Sequence, residues 1–477
     1  MWPPAGHGKF ALLLAGMLDR TKIYANRVRW TGEGIRKPVA FGIREIAMNQ
    51  CLRSAMAAAM ASAFALPPVH ADTVPLGPSF QVSSAHLSSD QESDLNPSVA
   101  GNAAGEFLVV WLHETQPLNG GSYTDTIYMR LYAADGTPLN APVAVGGAAF
   151  RSVPAAAMAA NGDSVIVWNG VAGGPELRRF DAAGNPIGPA VSAGQCHLPS
   201  SYHDPVVAMA PDGDFVMGLT SHTQTLIYGN SLVAAYLETS SNKALRFAAD
   251  GTPRGSCIDV ANLLAVNQRL GPPSLALDTA GDFVIAWNAS PDPLTATPSP
   301  VYAQRYGAGG LPKGLPTVVT LSGILLSTGG TASDASGDFR IAWSLKSDSV
   351  NARFYSANGL WQNLGQLSPA TVYTAPSGAS PSGGTGTHVT SNAGNQTAIT
   401  WLGFTTVAHT YVPHLAMQRF AADGSAIGTP LQLDDAINTT PFGVGGPASA
   451  IIDDNGGVVA TWLDGHANVH ARRFSGP

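Results

Sequence analysis

Charge is scarce in this chain of 477 residues: Asp, Glu, Lys and Arg make up only 12% of it, with a formal balance of −7. A sparse, net-acidic surface leaves no electrostatic footprint for nucleic acid, so that class of partner is excluded. No run of 18 apolar residues occurs, so no membrane span is expected. Cysteine is nearly absent, with three residues and no CxxC pair or spaced Cys/His set, which removes structural zinc. No catalytic or cofactor motif stands out, and no cofactor or metal is expected.

What the chain has instead is 53 Gly, 35 Pro and a repeat. Gly281-Asp-Phe-Val-Ile-Ala-Trp287 recurs in near-copies whose Trp position falls at Trp111, Trp168, Leu219, Trp287, Trp343, Trp401 and Trp462. Each copy has an apolar run before that position, as in Phe107-Leu-Val-Val-Trp111, which reads as a buried strand. Ahead of the run lies an Asn, Asp or Gly turn that joins it to an earlier strand beginning at Pro or Gly. Downstream comes a third strand ending in Arg beside a large apolar residue: Arg130, Arg179, Arg246, Arg305, Arg353, Arg419 and Arg473. A second Gly turn and a fourth stretch follow. Four short antiparallel strands in each of seven units predict an all-β fold, a seven-bladed β-propeller of four-stranded antiparallel blades.

The last copy stops after its third strand, at Arg473-Phe474. The missing piece is at the other end, where Val74-Pro-Leu-Gly-Pro-Ser-Phe-Gln-Val82 reads like the fourth stretches Pro186–Val191 and Ala426–Leu433. Residues 74–83 are therefore expected to form the outer strand of the final blade and close the ring. Met48–Ala71 has a basic start, a small apolar core and a Val69-x-Ala71 exit, the layout of a secretory signal peptide. This divides the chain into 1–47, a non-native upstream extension; 48–71, a signal peptide; and 72–477, a single propeller. An alternative places the signal core at Phe10–Leu18. The product is expected to be secreted, periplasmic or held at the cell envelope, and monomeric. Cys196 and Cys257 survive cleavage, and an exported chain permits a disulfide. Both follow the third strands of neighbouring blades, where outer strands are expected to diverge beyond the roughly 7 Å limit on Cα separation. Bonding requires the Ser192–Cys196 stretch to fold across.

Seven arginines at one per blade are spread around the ring, and are expected to stack on Trp or to satisfy carbonyls between blades. Asp214, Asp282 and Asp338 lack the alternating acids of a calcium loop and read as hairpin chemistry. Function is expected on the face built by loops from second to third strands and between blades, where Leu112–Thr126, Thr220–Lys243 and Leu402–His414 read as long loops. His113, Glu114, His203, Asp204 and His222 are the candidate binding residues there, as imidazole with a carboxylate partner serves as base or ligand. Tyr123, Tyr228, Tyr236, Tyr411 and Phe404 offer flat surfaces for sugar rings or protein side chains. Pro376–Thr385 is low-complexity and reads as an excursion.

The unit carried best by Asp334-Ala-Ser-Gly-Asp-Phe-Arg-Ile-Ala-Trp343 and Arg419–Gly428 resembles propeller-forming repeats of exported and surface-attached bacterial proteins, over residues 74–477. Blade three departs from it by losing its Trp. The resemblance implies architecture and is silent on activity. The leading expectation is a binding module whose partner is a glycan, small molecule or protein. The alternatives are a hydrolase or lyase on a polysaccharide or small polar molecule, and an envelope scaffold.

Overall fold

The computed structural model describes residues 73–476, apart from 84–90, 117–120, 194–195, 197–204, 230–233, 267–269, 290–299, 322–329, 346–348, 361–369, 375–386, 408–409, 435–448 and 465. The stretches read as an upstream extension (1–47) and a signal peptide (48–71), together with Pro376–Thr385, His203 and Asp204, lie outside the described residues, as do the side chains of Tyr228, Tyr236, Phe404 and Tyr411.

Seven four-stranded antiparallel sheets follow one another. Blade one is Gln91–Gly101, Phe107–Gln116, Thr124–Tyr132 and Val143–Ala148; blade two is Ala155–Met158, Ser164–Asn169, Pro175–Phe180 and Val191–Ser192. Blade three is Val206–Met209, Phe215–Gly229, Ala234–Phe247 and Ile258–Val266; blade four is Ser274–Leu277, Phe283–Asn288, Val301–Tyr306 and Thr317–Thr320. Blade five is Thr331–Ser333, Phe339–Leu345, Ser349–Tyr355 and Ala370–Thr374; blade six is Thr387–Ser391, Thr397–Val407, Thr410–Phe420 and Ala426–Gln432. Blade seven takes Ser449–Ile452, Val458–Leu463 and Val469–Phe474 from the end of the chain and Phe80–Gln81 from its start.

The closing register pairs Phe80 with Ala471 and Gln81 with His470, and Pro75 bridges Phe474. Leu76 N–H donates to Arg473 O, and Ser475 N–H to Val74 O. Burial gives independent support for a closed ring. The core divides into seven clusters, each drawn from two adjacent blades, and the seam between blades seven and one is built like the rest. In six seams the repeat Trp is supplied by the later blade: Trp111 meets blade seven, Trp168 blade one, Trp343 blade four.

The exception is the seam between blades two and three, where Leu219 stands in the Trp position. That same seam holds the Cys196–Cys257 disulfide, with the Cα atoms 5.4 Å apart. The expected divergence of outer strands does not apply to this pair. Cys196 lies beyond the two-residue outer strand of blade two and is buried in the seam with Phe215, Leu219 and Phe247 of blade three, within reach of Cys257. A covalent link thus occupies the seam that lacks the repeat Trp.

The arginines act as the sequence suggested, in two registers. Arg179, Arg246 and Arg305 each donate from Nη1 to a carbonyl in the third-to-fourth turn of the next blade: Ala249, Ala308 and Ala357. Arg473 does the same to Asp135 of blade one across the closure. Arg130 is displaced by one residue and reaches backward to Val82 O, as Arg178 does to Val145 O and Arg472 to Leu433 O. One further arginine is unexpected. Arg340 is fully buried between blades five and six, at a position that the other blades fill with residues such as Leu108, Val165, Val284 and Val459. Its nearest acceptor is Asp334 Oδ2 at 3.5 Å, and its ring partner is Phe354.

Candidate functional site on the crest of blade one

The stretches read as long loops in blades one, three and six are strands. Phe215–Gly229 and Ala234–Phe247 stay paired as far as Gly229↔Ala234, and Thr397–Val407 with Thr410–Phe420 as far as Val407↔Thr410. In blade one all four strands are extended: Asp94 pairs His113, Glu114 pairs Asp125, and Asp125 pairs Ala148. The first strand therefore begins well before Pro97, bulging at Asn96, whose φ is +52°. These extensions rise on the side of the second-to-third connections, so polar alternation such as Leu112-His-Glu-Thr-Gln116 is a two-faced strand standing above the ring.

His113 and Glu114 are consecutive on that strand and point to opposite faces. On one face, His113 Nδ1 is 2.9 Å from Asp94 Oδ1, and Thr115 Oγ1 is 3.2 Å from His113 Nε2. Asp94 is 1% exposed and His113 24%. The hydrogen bond to Asp94 raises the imidazole pKa above its usual value, against the opposing effect of burial. On the other face, Glu114 and Asp125 are register partners, so their carboxylates are neighbours across the strand pair. Both are more than nine-tenths buried. Burial pushes the Asp125 carboxyl above the ordinary range.

The turn that leaves blade one folds over this pair. Arg151 N–H donates to Asp125 Oδ2 at 2.6 Å, and Arg151 Nε lies 3.5 Å from Glu114 Oε2. Asn96 Nδ2 donates to Ser152 O, while Ser152 Oγ accepts from Asn169 N–H. Two anchors on Arg151 and two on Ser152, from three strands and the next blade, hold the turn in which Arg151 has φ +53°, a conformation that residues other than Gly rarely adopt. The turn presents Phe150, 64% exposed, beside Tyr123, 45% exposed, with their rings 5.7 Å apart and edge to face. The Arg151 guanidinium lies 5.2 Å over the Phe150 ring and is itself largely exposed.

His222 is buried on the second strand of blade three, opposite Ser240, so blade two stands between it and the His113 sheet. Sequence reasoning missed Asp94, Asp125, Phe150 and Arg151. Asp125 was within reach of it, because counting register outward from Trp111↔Tyr128 places it opposite Glu114. Phe150 and Arg151 carried no signal, since only the fold of the inter-blade turn brings them to the crest. Among the described residues no group of three or more His, Cys, Asp or Glu side chains is placed to hold a metal ion, and no helix is long and apolar enough to cross a membrane.

These features define a seven-bladed β-propeller with one fully extended blade. No protein-family model and no curated protein sequence matches the chain. Among solved structures, a protein of unknown function from Dyadobacter fermentans aligns over 86% of this chain and 100% of its own, at 11% identity and a TM-score of 0.47. A polysaccharide lyase described as an ulvan lyase covers 81% of this chain and 94% of its own, at 11% identity and 0.44. The fucose-specific lectin of Aleuria aurantia covers 81% and 91%, at 13% identity and 0.35.

Proposed function

We propose that the ring, residues 72–477, is an exported binding module that takes a glycan on the face bearing the strand extensions, with Tyr123, Phe150 and Arg151 as its contact surface. The observation that supports this reading is an exposed aromatic pair beside a strained turn that two buried carboxylates anchor at Arg151. Exposed aromatic faces pack against the C–H faces of sugar rings, and a guanidinium fork donates to hydroxyl or carboxyl oxygens. An aromatic pair held in advance loses little conformational freedom on binding. Glu114 acts through Arg151 and does not reach the ligand. The inter-blade disulfide suits an oxidising compartment and so agrees with export. The test is a glycan array probed with the mature ring and with Phe150→Ala and Tyr123→Ala. Retention of a glycan class that falls at least tenfold in both variants supports the reading, and equal retention by all three contradicts it.

A second reading, hydrolysis, rests on the chain Asp94–His113–Thr115, in which a buried carboxylate orients an imidazole that meets a hydroxyl. It predicts release of reducing ends from polysaccharide by the wild type and not by His113→Ala. Activity that survives His113→Ala removes it.

A further inference from the structure

The other face of the ring carries the short turns, and there adjacent blades part to leave clefts that repeat with the fold. Between blades three and four a cleft of about 260 Å³ is lined by Asp212, Asp214, Arg246 and Arg254 with Leu277 and Ala308. Between blades four and five one of about 200 Å³ is lined by Asp278, Asp282, Arg305 and Lys313. Between blades seven and one a third, of about 270 Å³, carries Asp453 and Arg473. All three are built from the same repeat positions. The penultimate residue of the earlier blade's third strand supplies the arginine, and the later blade supplies the wall: Gly281 with Ala308, Gly337 with Ala357, Gly105 with Ala134. Glycine is required in that wall. A Cβ on Gly337 would stand 2.7 Å from Asp278 Oδ2, and Gly337 has φ +84°.

The chemistry of the lining selects a ligand class. Acids and bases balance in each cleft, two against two, two against two, and one against one, and within them Asp214 pairs with Arg254 and Asp282 with Lys313, so neither an anion nor a cation is favoured. Each arginine gives one N–H to the neighbouring carbonyl and keeps the rest of its fork. Arg246 Nε is buried with no hydrogen-bond partner. Carboxylates that accept, a guanidinium that donates and a small apolar wall match a neutral polyhydroxylated ring, whose hydroxyls do both. The volumes fall below the roughly 300–1,000 Å³ of drug-sized pockets, which suits a single sugar unit.

We propose that these clefts are equivalent, repeated subsites for neutral monosaccharide units, separate from the blade-one crest, so that one ring engages several residues of a glycan at once. Repetition at fixed spacing raises avidity without requiring any subsite to be tight.

The experiment uses the mature ring carrying Tyr123→Ala and Phe150→Ala, which silences the crest. Methyl glycosides of glucose, galactose, mannose and fucose, with methyl glucuronide as the anionic comparison, are screened by saturation-transfer NMR and titrated by calorimetry. Binding of a neutral glycoside at more than one site per ring is expected, with at least tenfold weaker binding of the glucuronide. Ala308→Trp fills the cleft between blades three and four, and Asn358→Trp the next; each lowers the stoichiometry by one, and both together by two. Should a Trp variant lose its circular dichroism signature, Ala280→Gln, at an exposed turn position that lines both clefts, replaces the double variant and lowers the stoichiometry by two. No binding of any neutral glycoside, a stoichiometry of one, or a stoichiometry indifferent to these substitutions overturns the proposal. Failure here with an intact crest leaves the crest assignment standing, and loss of the crest with intact clefts does the reverse.

Discussion

Removing the Cys196–Cys257 link, by reduction or by Cys196→Ser with Cys257→Ser, perturbs the one seam that has no tryptophan. The two cysteines are 61 residues apart in sequence. Closing a loop of that length in the unfolded chain removes about 14 cal/mol/K of entropy, or about 4 kcal/mol at room temperature. Cys196 is 5% exposed, so a serine there also places a hydroxyl in an apolar cluster and adds about 1 to 3 kcal/mol if it finds no partner. The seams that keep their Trp lose nothing directly. Reduction is therefore expected to lower the urea midpoint by an amount of order 1 M, and hydrogen exchange should rise first in strands on either side of that seam, Ser164–Asn169 and Phe215–Gly229. Urea denaturation of oxidised and reduced protein, followed by exchange mass spectrometry of the reduced form, gives both readings. Equal midpoints would refute the argument that the disulfide stands in for the missing Trp. So would exchange that rises first in a Trp-containing seam.

Arg340 invites the opposite outcome. Since other blades keep an aliphatic side chain at this position, Arg340→Leu should leave the melting temperature unchanged or raise it, by the equivalent of about 1 to 4 kcal/mol, whereas Asp334→Asn strands the buried guanidinium and should cost about 3 to 5 kcal/mol. His113 should titrate above 6.5 by NMR, and Asp94→Asn should bring it down. Because its folded pKa is raised, the stability it contributes is complete below about 6.5 and is lost as pH rises through the folded value. His388 is the converse: burial holds its imidazole down to about 4. The unfolded chain takes up that proton first, so stability should fall as pH drops from about 6.5 towards 4, with a slope approaching about 1.4 kcal/mol per pH unit that His388→Gln abolishes.

The architecture was legible because each blade repeats the same physical requirement. Trp287 and its equivalents fill one seam each, and the absence of a fourth strand after Phe474 pointed directly to Val74–Val82 as its replacement. The crest was not legible to the same degree. Leu112-His-Glu-Thr-Gln116 alternates as a strand does, yet it runs past the repeat, and nothing in the repeat says that pairing continues. Glu114 was found and its neighbour Asp125 was not, because the pair is made by register across a hairpin and not by nearness in sequence. Arg151 sits further out of reach, as an inter-blade turn has no periodicity from which to read its direction. The disulfide stayed open in the sequence for a related reason: the repeat fixes where outer strands end but not where the chain goes next.

Ring closure by the strand Phe80–Gln81 underlies every assignment of seam, crest and cleft, and a cross-link tests it directly. In protein carrying Gln81→Cys and His470→Cys on a Cys196→Ser, Cys257→Ser background, the closing register places the new cysteines opposite each other. Oxidation followed by proteolysis and mass spectrometry should recover a peptide joining position 81 to position 470, and should recover none when the partner is moved to Arg472→Cys. Failure to form the first link in folded protein, or formation of both equally, would contradict a ring closed in this way.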